Sequence, residues 1–142
     1  MASSLLEAVD IKAPVAVSWA LWEDVERWPV FLSHVKHVKR IDGSTFAWQV
    51  SLPGADKSFV AELTEVVPGE RIAWRTTEGV HHAGVVTFHR LSDTESRVTL
   101  QIEYDPQGFV EHLGALTNLD STLANYDLGE FQRMAERQAA TP

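Results

Sequence analysis

The chain has 142 residues, 44% of them hydrophobic and 23% charged, with no cysteine and a formal net charge of −8. That length suits one domain covering residues 1 to 142, large enough to bury roughly two thirds of the surface its unfolded form exposes. Composition excludes disulfides, thiol catalysis and cysteine-ligated metal sites, and the acidic balance argues against a nucleic-acid surface, which needs clustered Lys and Arg.

Met1-Ala2-Ser3-Ser4 is not a basic region leading into an apolar stretch, and no apolar run is long enough for a bilayer, so a cytoplasmic protein without stable membrane insertion is expected. Leu5 to Ile11 alternates, with Leu5, Glu7, Val9 and Ile11 on one face, which predicts a first strand. Pro14 suits a first helical position, and Val15, Trp19 and Trp22 then recur at four and three through Val25, predicting a short helix. A second short helix is expected through Arg27–Leu32, with Pro29 near its beginning. Val35 to Ile41 reads as a strand, and Asp42-Gly43 as a hairpin turn. The basic run Lys36 to Arg40, interrupted by His37 and Val38, reads as a solvated strand edge.

From Thr45 the pattern is a meander. Strands are predicted at Thr45–Leu52, Ser58–Val67, Arg71–Thr77, His81–Leu91 and Arg97–Tyr104. Pro53-Gly54, Pro68-Gly69, Glu78-Gly79 and Ser92-Asp93-Thr94 supply the turns between them. Asp105 to Gln138 then carries Phe109, Leu113, Leu116, Leu119, Leu123, Tyr126, Leu128, Phe131 and Ala135 mostly at steps of three or four, the spacing of one helical face. Such a helix would run about 45 Å at 1.5 Å per residue. Gly114 and Gly129 each cost it up to about 1 kcal/mol relative to Ala, which predicts close packing or a bend at those points. Tight turns imply sequential antiparallel pairing, a broad twisted sheet curls, and the long helix is the element available to cover the curl. The expected fold class is α+β: a curved seven-stranded antiparallel sheet wrapped around a long C-terminal helix, with two short helices between strands 1 and 2.

Several local runs occur in the order and at the separations of a known group. They are Val9-Asp10-Ile11-Lys12-Ala13-Pro14-Val15, Val17 to Asp24 with Trp28-Pro29 following, Pro68 to Arg75, Arg97-Val98-Thr99-Leu100, and Leu128-Gly129-Glu130-Phe131. In these the chain resembles the START-like (SRPBCC) superfamily, and within it the polyketide cyclase/dehydrase and lipid-transport family. The resemblance covers nearly the whole chain. It implies the helix-grip fold, with a deep cavity between sheet and helix. Relatives use that cavity for polyketides, sterols, lipids, quinones or plant hormones; some cyclise or aromatise polyketide chains and many only carry a ligand.

By alternation, Phe46, Trp48, Phe59, Trp74, Phe88 and Tyr104 face the helix, and rings with a few polar groups suit either a packed core or a site for a flat apolar ligand. The Tyr104 hydroxyl is a potential donor. His81 and His82 point to opposite faces; His82 shares parity with Val86 and Phe88, so its imidazole is expected on the concave side, where it could move a proton. His34 is expected at the entrance. The predicted ligand-binding set is Phe31, His34, Val35, Trp48, Val50, Phe59, Trp74, His82, Phe88, Tyr104, Leu113 and Leu116, with His82 and Tyr104 as the candidates for catalysis.

No metal cluster motif, phosphate-cradling glycine loop or nucleophile elbow occurs, so no metal or cofactor is expected. Aromatase-type relatives carry an arginine before the Pro-Gly turn and a tyrosine after the second short helix; counting from Pro68 and from Trp28-Pro29, Val66 and Val35 stand there, which favours binding over that chemistry. Three readings remain: a binding protein for a hydrophobic or aromatic small molecule (polyketide-like, lipid or quinone), a cyclase/dehydratase-type enzyme, and a protein-interaction module with a filled interior. A monomer or homodimer suits all three.

Overall fold

The computed structural model describes residues 3–33, 35–52, 55–79, 81–104 and 117–140; for Ser3, Ser4, Leu52, Ala55, Tyr104 and residues 117–125 it describes the backbone alone. Strand β1 (Ser3–Ile11) leads into helix α1 (Val15–Glu23) and a 3-10 helix (Val25–Val30). Strands β2 (Val35–Asp42), β3 (Thr45–Leu52), β4 (Ala55–Val67), β5 (Arg71–Gly79), β6 (His82–Arg90) and β7 (Ser96–Tyr104) follow, and helix α2 (Thr117–Ala140) closes the chain. The strands form one antiparallel sheet in the order β1-β7-β6-β5-β4-β3-β2, so the meander from β2 to β7 is completed by β1 pairing back onto β7. This is the predicted helix-grip architecture.

Alternation decides which side chains enter the core. Phe46, Trp48 and Val50 of β3, Phe59 and Ala61 of β4, Ile72, Trp74 and Thr76 of β5, and Val86 and Phe88 of β6 are buried on one face, while residues between them, such as Gln49, Arg75 and His89, stay exposed. On α2, Leu128, Phe131 and Ala135 are buried at steps of three and four, one helical face set against the sheet and the short helices. Two polar latches fix α2 to the end of β1: Gln132 Nε2 donates to the Asp10 carbonyl at 3.0 Å, and the Lys12 backbone N–H donates to Glu136 Oε2 at 2.9 Å.

The structure changes several expectations. The helix expected from Asp105 is described from Thr117; its first third, with Leu113, Gly114 and Leu116, lies outside the described residues. Tyr126, assigned by spacing to the buried face, is 56% exposed. A Cβ on Gly129 would meet only the Arg133 guanidinium at 3.9 Å, so no close packing there requires glycine. In the 3-10 helix Pro29 stands near the end rather than the beginning. Helix α1 buries Ser18, Leu21 and Trp22, while Val15 and Trp19 of the expected stripe are partly buried against the core. Ser18 is admitted because its hydroxyl lies 3.0 Å from Ser96 Oγ, which itself donates to the Ala13 carbonyl at 2.8 Å; each buried hydroxyl thereby has a partner.

Gly79, expected in a turn, ends β5 as the partner of Phe59, with φ +88°. A Cβ there would fall 2.7 Å from the Ser58 carbonyl oxygen, so both dihedral and space require glycine. The long helix is also not the sole cover of the sheet. Trp22, Trp28 and Phe31 reach inward, and Trp28 sits edge-on to both Trp48 and Trp74, at centroid distances of 5.1 and 5.3 Å.

Candidate functional site

The concave face divides into three regions along the strands. At one end α1 lies over the sheet: the Trp19 ring meets Phe88 edge-on at 5.4 Å, beside the Ser18–Ser96 pair. In the middle Trp22 packs against Trp28, Phe31 and Phe131, at 5.0, 4.8 and 5.3 Å. At the other end, where β5 finishes and β6 begins, Trp48, Phe59, Trp74 and His82 form a continuous aromatic wall.

Strand register explains the wall. Trp48 and Phe59 are direct partners across β3 and β4, and their rings stack at 5.6 Å and 17°. Trp74 stands one strand further on, opposite Leu63, and lies nearly parallel to Trp48 at 6.4 Å and 25°. Its indole extends across β6 because its partner there is Gly84. A Cβ on Gly84 would lie 2.5 and 2.7 Å from Trp74 Cε2 and Cη2, and closer still to Cζ2. Gly84 is therefore the space into which the indole fits. Aromatic pairs in offset-stacked and edge-on arrangements add roughly 0.5–1.5 kcal/mol each beyond area burial, so the rings hold one another in place.

His82 closes the row. Its ring is perpendicular to Phe59 at 4.6 Å, and Trp74 Nε1 donates to His82 Nε2 at 3.3 Å. That bond uses the lone pair of a neutral Nε2, which leaves the ring proton on Nδ1. The His82 backbone N–H donates to Thr76 Oγ1, a buried hydroxyl, at 3.1 Å. Thr76 and Trp74 thus orient backbone and side chain of the same residue. The Trp48 indole N–H is buried with no hydrogen-bond partner among the described residues; the same holds for Trp22, which is enclosed by rings.

The structure brings together Trp48, Phe59, Trp74 and His82 of the predicted set. Phe31, Val35 and Val50 are buried nearby, with Val35 pairing Val50 across β2 and β3 and Phe31 turned toward Phe131 of α2. Phe88 is separated from the group: six residues beyond His82 along β6, about 20 Å at the usual strand rise, it belongs to the packing under α1. The Tyr104 backbone pairs with His82, but its side chain is outside the description, as are His34, Leu113 and Leu116 altogether. Of the two valines set against the aromatase pattern by counting, Val66 is 48% exposed and Val35 is buried.

Two residues escaped sequence reasoning. Trp28 was read only as part of a short helix. Asp127, fully buried on α2, accepts from Ser33 N–H at 3.0 Å and Ser33 Oγ at 2.7 Å, tying the helix to the segment that enters β2. A lone acidic residue amid Tyr126 and Leu128 was the available signal. Grooves outlined by the described residues, of about 540 and 360 Å³, run on the opposite, convex side, past His37, Gln49 and Glu78 and past Arg75, Gln101 and Glu103.

With this geometry in hand, comparison with known proteins decides the relationship. A family model described as polyketide cyclase/dehydrase and lipid transport matches residues 11–133. The chain belongs to that family. A curated relative, an uncharacterized 17.2 kDa protein of Streptomyces lincolnensis, is 34% identical over 137 residues, covering 96% of this chain and 91% of the relative. Among solved structures, a Deinococcus radiodurans protein aligns with TM-score 0.76 at 27% identity, over 96% of this chain and 99% of its own. The Zhui aromatase/cyclase of a Streptomyces species aligns with TM-score 0.83 at 18% identity, over 99% and 98%. At that identity the likeness shows the fold alone: a curved antiparallel sheet with a C-terminal helix, as in this family member. No helix among its described residues is long and apolar enough to cross a membrane.

Proposed function

We propose that this family member binds a hydrophobic or aromatic small molecule between the His82 end of the concave sheet face and helix α2. The observation that carries the reading is the Trp74–His82 hydrogen bond set into the Trp48–Phe59–Trp74 wall. A core selected only for packing has no need of an imidazole at its margin, whereas a site for a largely apolar ligand needs a small number of placed polar groups. Apolar burial supplies the drive: a flat molecule covering about 200 Å² of such surface gains about 5 kcal/mol before the costs of association. The family assignment supports the same reading.

A second reading, proton transfer to a bound poly-β-keto chain, is favoured by the same imidazole. The valines at positions 66 and 35 weigh against aromatase chemistry of the relatives' kind. The readings separate by experiment. Saturable quenching of tryptophan fluorescence by quinones or polyphenols, together with a co-purifying compound seen by mass spectrometry, supports binding. Turnover of a poly-β-keto substrate that is lost in His82→Ala supports the enzyme. Absence of both overturns the two readings and leaves a protein-interaction module.

A further inference from the structure

The tryptophans of the inner face differ in what their N–H groups do. Trp28 Nε1 donates to the Trp22 carbonyl at 2.8 Å and Trp74 Nε1 to His82 at 3.3 Å, while Trp48 Nε1, on a residue 4% exposed, has no acceptor among the described residues. Leaving a buried donor unmet is costly enough that native structures rarely do so. Packing gives no reason for it. A phenylalanine at position 48 would keep the stack on Phe59 and the offset contact with Trp74 without burying an unpaired N–H.

Trp22, the other unmet donor, differs in its surroundings. Rings of Trp28, Phe31 and Phe131 stand around it at centroid distances of 4.8 to 5.3 Å, two of them edge-on, so it sits within the aromatic cluster at the middle of the concave face rather than in the row that ends at His82. Trp48 is stacked nearly parallel to its two wall neighbours, with Trp28 edge-on to it at 5.1 Å. A donor in the plane of a stacked ring points past those faces rather than into them. It stands in the row that ends at His82, the row to which the ligand is assigned above.

We infer that Trp48 Nε1 is a specificity-determining donor that takes an acceptor oxygen of the ligand, so that the ligand is an aromatic or fused-ring molecule bearing a carbonyl or phenolic oxygen rather than a plain hydrocarbon or an acyl chain. This deepens the binding reading and rests on it. The oxygen is held by Trp48 while the ring system lies along Phe59 and Trp74, and Gly84 keeps the Trp74 indole in register with it. No bond is made or broken in this step; it sets orientation and selectivity.

The test uses two probes of nearly equal shape, α-tetralone and its hydrocarbon tetralin, titrated into the full chain by calorimetry, with the indole Hε1 resonances followed by NMR. The inference expects α-tetralone to bind about tenfold more tightly than tetralin, the scale of one buried neutral hydrogen bond. It also expects a downfield shift of the Trp48 Hε1 resonance with the ketone alone. In Trp48→Phe the ketone's advantage over tetralin should vanish, whatever change in affinity the two probes share. The Hε1 shift is read on the unmodified protein, so the inference remains testable if the variant does not fold. Equal affinities for the two probes, or a Trp48 resonance indifferent to the ketone, overturn the inference while leaving apolar binding intact. Failure of both probes to bind overturns it together with the binding reading.

Discussion

Gly84→Ala tests the architecture of the wall at one atom. Gly84 has no positive φ, so the backbone accepts alanine, and any effect comes from the Cβ itself. That Cβ would fall 2.5 Å from Trp74 Cε2 and 2.7 Å from Cη2, well inside van der Waals contact with a ring already hemmed in by Trp28 and Trp48. The indole must move. Its bond to His82 is lost with it, because 3.3 Å leaves no slack for a displaced donor. Overpacking a filled core costs about 1–3 kcal/mol and a net hydrogen bond about 0.5–1.5, which together predict destabilisation of about 2–4 kcal/mol. For a chain of this size the melting midpoint should fall by roughly 6–15 °C. Urea unfolding followed by tryptophan fluorescence gives the free energy directly. Because the clash is with one ring, Trp74→Phe should rescue part of the loss, making the double variant less destabilised than the sum of the singles. A Gly84→Ala protein with unchanged stability and an unshifted Trp74 Hε1 resonance would refute the argument that the wall depends on this close approach.

Other outcomes follow from the same structure. Gly129→Ala should stabilise by up to about 1 kcal/mol, since the new methyl on a helix makes only ordinary contact with the Arg133 guanidinium at 3.9 Å; differential scanning calorimetry gives the sign. Asp127→Ala should cost about 1–3 kcal/mol by stranding the Ser33 donors, and a double-mutant cycle with Ser33→Ala in urea should show strong coupling between the two sites. Arg97 hydrogen-bonded to Asp10, and Arg71 to Glu65, hold both carboxyls below their usual range. Lowered folded-state pKa values contribute stability that is complete above the unfolded values and is lost as pH falls through the folded ones. Melting points measured from about pH 2 to 5 should therefore fall less steeply in an Asp10→Asn/Glu65→Gln variant than in the parent, with a small difference at pH 7 because both pairs are exposed and screened.

The fold was legible because strands and turns write it locally. Alternation in Val98, Leu100 and Ile102 set against Thr99 and Gln101, with Pro68-Gly69 and Asp42-Gly43 between runs, fixes faces and connections without tertiary information. The wall was legible for the same reason: parity alone put Trp48, Phe59, Trp74 and His82 on one side. Parity says nothing of position along a strand, so Phe88 shared their face yet packs under α1. Residues governed by partners far away in sequence were opaque. Ser18 is buried because Ser96 receives its hydroxyl, Asp127 because Ser33 satisfies its carboxylate, and Trp28 stands edge-on to both Trp48 and Trp74 because the 3-10 helix folds inward. Hydrophobic periodicity has no term for a polar group whose partner lies 78 or 94 residues away. Gly84 is likewise silent in the sequence, because the ring that requires it belongs to Trp74 on the neighbouring strand.

The most direct test of the central claim is the set of intermolecular NOEs between a bound aromatic probe such as α-tetralone and isotope-labelled protein. The account predicts contacts to the ring protons of Trp48, Phe59 and Trp74 and to His82, saturating at one probe per chain. NOEs confined to exposed side chains such as Leu6, Val30, Ile41 and Leu91, or none at saturating probe, would contradict it.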